Sequence, residues 1–264
     1  MHRNASRPHS NFVRACLTTL LAVAALTRDA AAQPAWTIEY GRERAAVSNF
    51  DVDSTWTVDR VQAIRSHPGE GGWLVAAERQ ERYGEQDVAF LARAYRHLGR
   101  WTIAAGAGGS PNAEFLYKAG VGGEISFRVI GGLVASGAYE FFRFPSTNVH
   151  QLQPAVTFYH ARGEIEGRVF VTRNVARTRT STAALLRIGH DFTPRLRLGG
   201  GLAFGSRIFD IASFATDAAD ARFAFADGRV GLTEHDFLTA RVSAATEQPA
   251  FTYRSVTIGY RRVF

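Results

Sequence analysis

The residues in this sequence whose types and spacing most clearly indicate a function are charged side chains that alternate with apolar ones. In the segment Gly163 to Arg173, Glu164 and Glu166 fall on one face, whereas Ile165 and Val169 fall on the other. Nine charges take the polar position in this way: Glu124, Arg128, Glu140, Glu164, Glu166, Arg168, Arg187, Arg197 and Arg241. Because charges are rarely buried without partners, such a face favours a water-filled lumen over a packed core. It could line an aqueous path or close that path with ion pairs, and the spacing allows both.

Histidine and serine offer a second kind of chemistry. A lipid- or lipopolysaccharide-modifying enzyme needs a serine or a histidine that lies beside an orienting partner. His150 and His160 flank one predicted strand, and Ser146 lies close to the first of them in sequence. Isolated histidines near strand ends are more often solvated than catalytic, so we predict that the protein is not an enzyme.

The sequence predicts no metal site and no cofactor. Histidines and carboxylates do not occur with the spacing of metal ligands. The glycine runs Gly199 to Gly201 and Gly108 to Gly109 are not phosphate loops, because neither opens a helix with a following lysine. The single cysteine, Cys16, lies near the N-terminus, so the rest of the chain has no thiolate ligand and no disulfide.

The elements that must position these charges are β-strands. A period of two runs from Trp36 onward, and in the segment Arg195 to Phe204 it places leucines on one face and arginines on the other. Turn residues separate such segments, and short connections alternate with longer ones, as in outer-membrane barrels. We therefore predict an all-β fold, a transmembrane antiparallel up-and-down β-barrel of about 14 strands. About 12 strands is the alternative if the segment Ala219 to Gly231, where Asp227 interrupts the apolar parity of Phe223 and Phe225, forms no hairpin.

Aromatic residues recur near the predicted strand ends, which is typical of the two interfacial girdles of a membrane barrel. The predicted girdle residues are Trp36, Trp56, Trp73, Trp101, Tyr139, Phe141, Tyr260 and Phe264. A soluble β-sandwich or a lipocalin-like barrel is the alternative, since its strands also alternate. Its packed core would have to bury the nine charges, so the membrane barrel is favoured.

The first residues have the layout of a secretory signal peptide. Arg3, Arg7 and Arg14 precede a short apolar run from Ala15 to Leu26, and small residues follow at Ala30 to Ala32. The run is too short to span a bilayer as a helix, which needs about 20 residues. We expect a signal peptide over residues 1–32, cleaved after Ala32 on export through the inner membrane, and an outer-membrane β-barrel domain over residues 33–264.

The last residues resemble a closing strand that carries an assembly signal. Val256, Ile258 and Tyr260 share one face with the final Phe264. A barrel must pair its last strand with its first and leave no edge in lipid, so we expect this strand to pair with Trp36 to Glu43. The expected partners are therefore the barrel-assembly machinery and outer-membrane lipid.

Net charge does not point to nucleic acid as a partner. The chain carries a formal charge of +7, but its arginines are interleaved with acids and form no basic stripe.

Four segments in succession make the interpretation more specific: Glu78 to Asp87, Ala105 to Phe115, Gly137 to Phe144 and Val156 to Tyr159. Their order resembles the YaiO-like family of outer-membrane β-barrel proteins, from about Trp36 to Phe264. The resemblance implies an outer-membrane location and a closed barrel, and it implies no established substrate. Arg262 departs from the hydrophobic or aromatic residue that barrel-assembly signals usually have at that position.

A porin-like or export channel is the leading hypothesis, and a link to surface polysaccharide or envelope function is open. A structural barrel with an occluded lumen is the alternative, and a barrel whose outer loops bind a partner is a third. The segment Arg207 to Asp217 is apolar for an external loop, so we expect it to fold inward as a constriction or to lie on the membrane rim. The transported substrate does not follow from the sequence.

Overall fold

The computed structural model describes residues 35–49, 52–176, 179–206, 220–247 and 251–264. The expected signal peptide over residues 1–32 and the loop from 207 to 217 lie outside these ranges. Fourteen strands form: β1 Ala35–Asn49, β2 Val52–His67, β3 Gly71–Arg82, β4 Glu85–Leu98, β5 Trp101–Gly109, β6 Ala119–Ile130, β7 Leu133–Arg143, β8 Asn148–His160, β9 Gly163–Asn174, β10 Arg179–Thr193, β11 Leu196–Gly205, β12 Ala221–Gly231, β13 Asp236–Glu247 and β14 Phe251–Val263. Among the described residues, no helix is long and apolar enough to cross a membrane.

The strands form one closed antiparallel barrel in which each strand pairs with its neighbours in sequence. The predicted up-and-down barrel of 14 strands is confirmed, and the alternative of 12 is wrong because β12 pairs with both β11 and β13. β14 closes the barrel against β1 in register from Thr37 opposite Val263 to Asn49 opposite Phe251. The predicted pairing of the last strand with the first is therefore confirmed, and it extends beyond Glu43.

The register divides the strand residues into an outer and an inner face. Val256, Ile258 and Tyr260 lie on the outer face, and large apolar residues there are open to the surroundings, with Leu202 59% and Ile258 63% exposed. Closure of the sheet leaves no unpaired edge among the strands, which lets such a surface lie in lipid.

β12 shows where the predicted parity was wrong. Phe223, Phe225 and Asp227 all lie on the inner face, because they pair with the inner residues Ala245, Ser243 and Arg241 of β13. Asp227 therefore interrupts nothing, since the two phenylalanines point into the lumen with it.

The two ends of the barrel differ in their connections. At the end where β1 begins, which we call the turn end, two to four residues join successive strands. Gly99 and Gly131 allow two of these turns, because their φ values of +63° and +53° lie in the left-handed region. The opposite end, which we call the loop end, carries the connection 110–118. At the same end, only residues 83–84 join β3 to β4, so this connection is as short as the turns.

The turn between β10 and β11 is short. β10 continues to Thr193 after an irregularity in its pairing with β11, and only residues 194–195 connect the two strands.

The aromatic residues follow the girdle pattern at the turn end of the outer face. Trp36 contacts Trp73 edge to face at 5.2 Å, and Trp101 contacts Phe127 at 4.5 Å between ring centroids. Trp56 is the exception, because it pairs with the inner residue Ala45 and is only 7% exposed. Its assignment to a girdle was wrong, and its large ring instead packs inside the loop end.

A charge on the lipid-facing surface should destabilise the barrel more than the same charge inside it. We expect Ile125→Arg to lower the free energy of unfolding by about 2 kcal/mol, because Ile125 is an exposed outer residue. The matched control is Ser126→Arg on the inner face, where the hydroxyl of Ser126 already contacts Glu124. Urea unfolding in lipid vesicles measures both, and equal losses would contradict the assignment of the two faces.

Candidate functional site

The inner face borders a half-open cavity of about 380 Å³ that is lined by seven neighbouring strands, β11 to β14 and β1 to β3. Arg60 on β2 and Glu78 on β3 lie at one end of this run of strands, and Arg197 on β11 and Arg241 on β13 lie toward the other. The charged lining residues are Glu39, Glu43, Glu78, Asp227, Arg60, Arg197, Arg229, Arg241 and Arg261. Arginines thus slightly outnumber carboxylates, and the cavity is polar enough to hold water.

Arg197 is the centre of one ion-pair network. Its Nη2 lies 2.7 Å from Oε1 of Glu164, and its Nη1 lies 2.8 Å from Oδ2 of Asp191. Arg229 approaches the other oxygen of Asp191 at 3.6 Å. The bridge from β11 to β9 crosses Gly189 of β10, where a Cβ atom would lie 2.6 Å from Nη2 of Arg197. Because Gly189 has no side chain, the space through which Arg197 reaches Glu164 stays open.

A second network is organised around Gln153 on β8. Its amide nitrogen donates to Glu140 at 3.0 Å and to the side-chain oxygen of Gln151 at 2.7 Å. Its own oxygen accepts a hydrogen bond of 3.0 Å from Arg168, and Arg168 also pairs with Glu166 at 2.9 Å. The amide thus connects charges on β7 and β9, which lie on either side of β8.

Further ion pairs continue around the inner face. Arg93 on β4 contacts Glu124 on β6 at 2.7 Å, and it reaches that carboxylate across Gly106 of β5. Other pairs among the described residues are Arg60 with Glu78 at 3.6 Å, Arg261 with Glu39 at 3.3 Å and Arg241 with Asp227 at 3.8 Å. Guanidinium groups hold a fixed fork of donors, so they suit this arrangement of carboxylates.

The register places all nine charges predicted from the sequence on the inner face of their strands. It brings Glu164 to Arg197 and Glu166 to Arg168, and it sets Arg187 opposite Glu166. Arg128 is the outlier, because it lies at the turn end of β6 and is exposed. Their role in moving solute stays a prediction.

The sequence prediction left out several inner-face charges: Glu39, Glu43, Arg60, Glu78, Arg93, Asp191, Asp227, Arg229 and Arg261. The same period of two that identified the others also contains these residues.

The connection 110–118 folds into the loop end of the lumen, and Asp87 holds it there. Asp87 is an inner-face residue of β4 that is only 1% exposed. Its carboxylate accepts hydrogen bonds from the backbone N–H groups of Glu114, Phe115 and Leu116 at 2.7–3.1 Å. A carboxylate that accepts three N–H groups acts as a clasp, because charge-assisted hydrogen bonds are stronger than neutral ones.

Aromatic and cationic side chains pack beside this loop across the opening of the lumen at the loop end, which we call the mouth. The guanidinium of Arg82 lies 4.5 Å from the ring centroid of Trp56 and 5.1 Å from that of Phe115. Tyr117 packs against Phe142 at 5.2 Å, and burial together with the nearby Glu78 raises the pKa of its phenol. The hydroxyl therefore stays neutral at physiological pH, and the loop narrows the mouth from the side of β4 to β7.

A buried apolar cluster narrows the mouth from the other side. It consists of Ala45, Val47, Trp56, Ala245 and Tyr253, with Phe223 and Phe251 packed against it. The hydroxyl of Tyr253 donates to Glu43, and Thr257 donates to the same carboxylate at 3.1 Å. The lumen thus has an aromatic mouth above a charged interior.

The histidines considered for catalysis do not come together. His150 contacts the hydroxyl of Tyr139 at 2.6 Å, and His160 stacks on His190 at 5.7 Å. Neither histidine orients a serine hydroxyl in the part of the chain that the structure describes. The described ranges also contain no group of three or more histidine, cysteine or carboxylate side chains that could hold a metal ion.

Comparison with known proteins identifies one family by sequence and several solved structures of similar fold. A family profile described as the YaiO membrane beta barrel domain matches residues 42–202. No curated protein sequence matches the chain.

Among solved structures, the CymD monoaromatic hydrocarbon channel is similar with a TM-score of 0.58 and 6% identity, over 88% of this chain and 89% of that one. The COG4313 outer membrane channel from Pseudomonas putida F1 is similar with a TM-score of 0.52 and 10% identity, over 91% and 98%. The KdgM porin, solved with disordered oligogalacturonate, has a TM-score of 0.51 and 9% identity, over 86% and 99%. At such identities these likenesses concern the fold alone.

Proposed function

Because the chain belongs to the YaiO membrane β-barrel family, we propose that it is an outer-membrane channel for small hydrophilic solutes. The observation that carries the proposal is the cavity of about 380 Å³ on the inner face of the barrel, lined by charges of both signs from the neighbouring strands β11 to β14 and β1 to β3. Paired arginines and carboxylates hold water and exclude apolar solutes, since transfer of charge away from water is costly.

The comparison with other barrels supports a channel function, but it does not indicate which solute this channel would carry. One similar structure is a channel for monoaromatic hydrocarbons and another is a porin solved with oligogalacturonate. The lumen described here is charged along β1 to β3 and β11 to β14, so polar solutes fit it better than hydrocarbons do. Arginine exceeds carboxylate among the lining groups, which favours a weak preference for anions.

A structural barrel with an occluded lumen is the second candidate. The observation that favours it is the clasp at Asp87, because the loop that it holds and the stack of Phe115, Arg82 and Trp56 extend across the mouth. The two candidates share one fold and differ only in whether water passes this constriction.

The remaining expectations form part of the same proposal. The barrel has no enzymatic activity, and residues 1–32 direct its export and are removed. Val256, Ile258, Tyr260 and Phe264 serve as the signal for the barrel-assembly machinery, and the outer face lies in outer-membrane lipid. What supports this last point is the set of exposed large apolar residues on the outer face of the closed barrel.

Flux through reconstituted vesicles tests the proposal. Proteoliposomes containing the protein are expected to swell in isotonic solutions of small neutral sugars, and the rate should fall as the sugar grows toward the size of the mouth. Vesicles without protein are the control. Swelling no faster than in that control would favour the occluded barrel.

A further inference from the structure

The turn end of the lumen carries arginines on its inner rim. Arg128 lies on the same inner face of β6 as Glu124, and its side chain is exposed. Its backbone N–H donates to the carbonyl of Arg100 at 2.9 Å, so the two arginines lie opposite each other where β5 and β6 meet the rim. Like charges directly opposite each other destabilise a strand pair, so this arrangement does not serve the stability of the fold.

Two further arginines lie at neighbouring turns of the same rim. The carbonyl of Arg162 accepts a hydrogen bond of 2.6 Å from the backbone N–H of Asp191, so Arg162 lies opposite an inner-face residue of β10. The carbonyl of Arg195 accepts one of 2.7 Å from Gly231, and a Cβ atom on that glycine would lie 3.2 Å from the stem of Arg195. Both arginine side chains are exposed. We call the following residues the rim arginines: Arg100, Arg128, Arg162 and Arg195.

The carboxylates nearest to the rim arginines in the register are bound by other arginines. The two oxygens of Asp191 contact Arg197 at 2.8 Å and Arg229 at 3.6 Å. Glu164 also pairs with Arg197, at 2.7 Å. In the part of the chain that the structure describes, no carboxylate lies within ion-pairing distance of a rim arginine.

The other acids at the turn end lie outside the arc of the rim arginines, which extends from the turn before β5 to the turn before β11. Glu70 and Glu234 are exposed in the connections 68–70 and 232–235, one on each side of this arc. Asp236 is on the outer face, where Arg262 pairs with it at 3.5 Å. Positive charge and negative charge are therefore separated around the turn end, and the arc between them is basic.

Unpaired guanidinium groups around the end of an aqueous path attract anions. Charge of one sign at an opening with low-dielectric walls raises the local concentration of ions of the opposite sign. The planar fork of a guanidinium group also matches the oxygens of a carboxylate. Short turns are periplasmic in outer-membrane barrels, so this end of the lumen opens to the periplasm.

We propose that the rim arginines select small anionic solutes, carboxylates among them, at the periplasmic opening of the channel. This inference rests on the proposed channel function, and it names the class of solute and the residues that set it. The rim arginines are exposed and act through their electric field, so their effect must weaken as salt screens it. The screening length is about 10 Å at 0.1 M ionic strength and about 3 Å at 1 M.

Reversal potentials of single channels in planar bilayers test the proposal, with gradients of potassium chloride and of potassium acetate as the probes. The rim variant is Arg100→Gln, Arg128→Gln, Arg162→Gln, Arg195→Gln. We expect its ratio of anion to cation permeability to fall at least about threefold near 0.1 M salt and by less than about 1.5-fold near 1 M. Replacement of the same four arginines by lysine keeps the charge and should keep the wild-type ratio.

The matched control removes the same number of charges from the outer face: Arg44→Gln, Arg143→Gln, Arg173→Gln, Arg254→Gln. Its permeability ratio should stay within about 1.5-fold of the wild type, because the barrel wall separates these residues from the lumen. Heat-modifiable migration checks that each variant folds. If the rim variant does not fold, the double variants Arg100→Gln, Arg128→Gln and Arg162→Gln, Arg195→Gln replace it, and each should shift the ratio in the same direction.

Three outcomes would overturn the inference and leave the channel in place. They are current steps with the same ratio in the wild type and the rim variant, equal shifts in the rim and control variants, and a shift that is as large near 1 M salt as near 0.1 M. A wild type that shows no current steps would overturn the channel function, and the inference with it.

Discussion

Replacement of Asp87 by alanine is expected to release the connection 110–118 from the mouth of the lumen. The substitution leaves the N–H groups of Glu114, Phe115 and Leu116 without the carboxylate that accepts their hydrogen bonds. Hydrogen bonds to a charged group are worth about 1.5–3 kcal/mol each and do not add fully. We therefore expect the free energy of local opening to fall by roughly 3 kcal/mol, which is about a hundredfold larger open population.

Limited proteolysis of folded barrels in vesicles measures this opening. Cleavage within residues 110–118 should become about a hundredfold faster in Asp87→Ala, while the strands stay protected. Gln86→Ala is the matched control, because Gln86 is the preceding residue and lies on the outer face. A cleavage rate that is the same in Asp87→Ala, Gln86→Ala and the wild type would show that Asp87 does not hold the loop.

Replacement of Trp56 by alanine is the substitution with the largest expected effect on stability. Trp56 is buried, and its ring contacts Tyr83 at 5.5 Å and Phe251 and Tyr253 at 6.2 Å each. It also forms one surface of the stack with Arg82. Removal of a large buried aromatic side chain costs about 3–5 kcal/mol, because the surrounding groups fill the cavity only in part.

Equilibrium unfolding in urea, followed by heat-modifiable migration, measures the loss. Trp101→Ala is the matched control, because Trp101 is an outer-face residue that is 48% exposed and packs on one neighbouring ring. We expect the control to lose less than half as much stability as Trp56→Ala. A larger loss in Trp101→Ala than in Trp56→Ala would contradict the inner position of Trp56.

The faces of the strands could be predicted from the sequence because a strand alternates its side chains with a fixed period of two. That period correctly separated Leu196, Leu198 and Leu202 from Arg197, and it placed Glu164 and Glu166 together. The errors arose where an aromatic residue was taken as a sign of the lipid face. Phe223, Phe225 and Trp56 point inward, since rings fill the lumen near the loop end as readily as they face lipid.

The partners of the charges could not be predicted in the same way. Arg197 reaches Glu164 by crossing a whole strand over Gly189, and Arg93 reaches Glu124 over Gly106. Such contacts depend on register and on the absence of a side chain in the intervening strand, and neither follows from the period of a single strand. The clasp is harder still, because Asp87 binds backbone N–H groups, which every sequence has.

The loop that folds into the lumen could not be predicted from the sequence either. The sequence indicated an apolar loop at residues 207–217, which lies outside the described residues. The loop that enters the lumen in the structure is the connection 110–118, whose Ala113 and Leu116 are buried. Its four hydrophobic residues, Ala113, Phe115, Leu116 and Tyr117, were not singled out in the sequence, and the inward position of the loop depends on the carboxylate of Asp87 in another strand.

Single-channel current in planar bilayers tests the central claim, that the charged lumen is an aqueous path. We predict discrete current steps for the wild type, with a weak preference for anions. Arg197→Glu should shift the zero-current potential toward cation selectivity, and Glu166→Arg should shift it toward anion selectivity, because both residues lie on the inner face. The absence of current steps at every voltage, or selectivity that responds to neither reversal, would contradict the account.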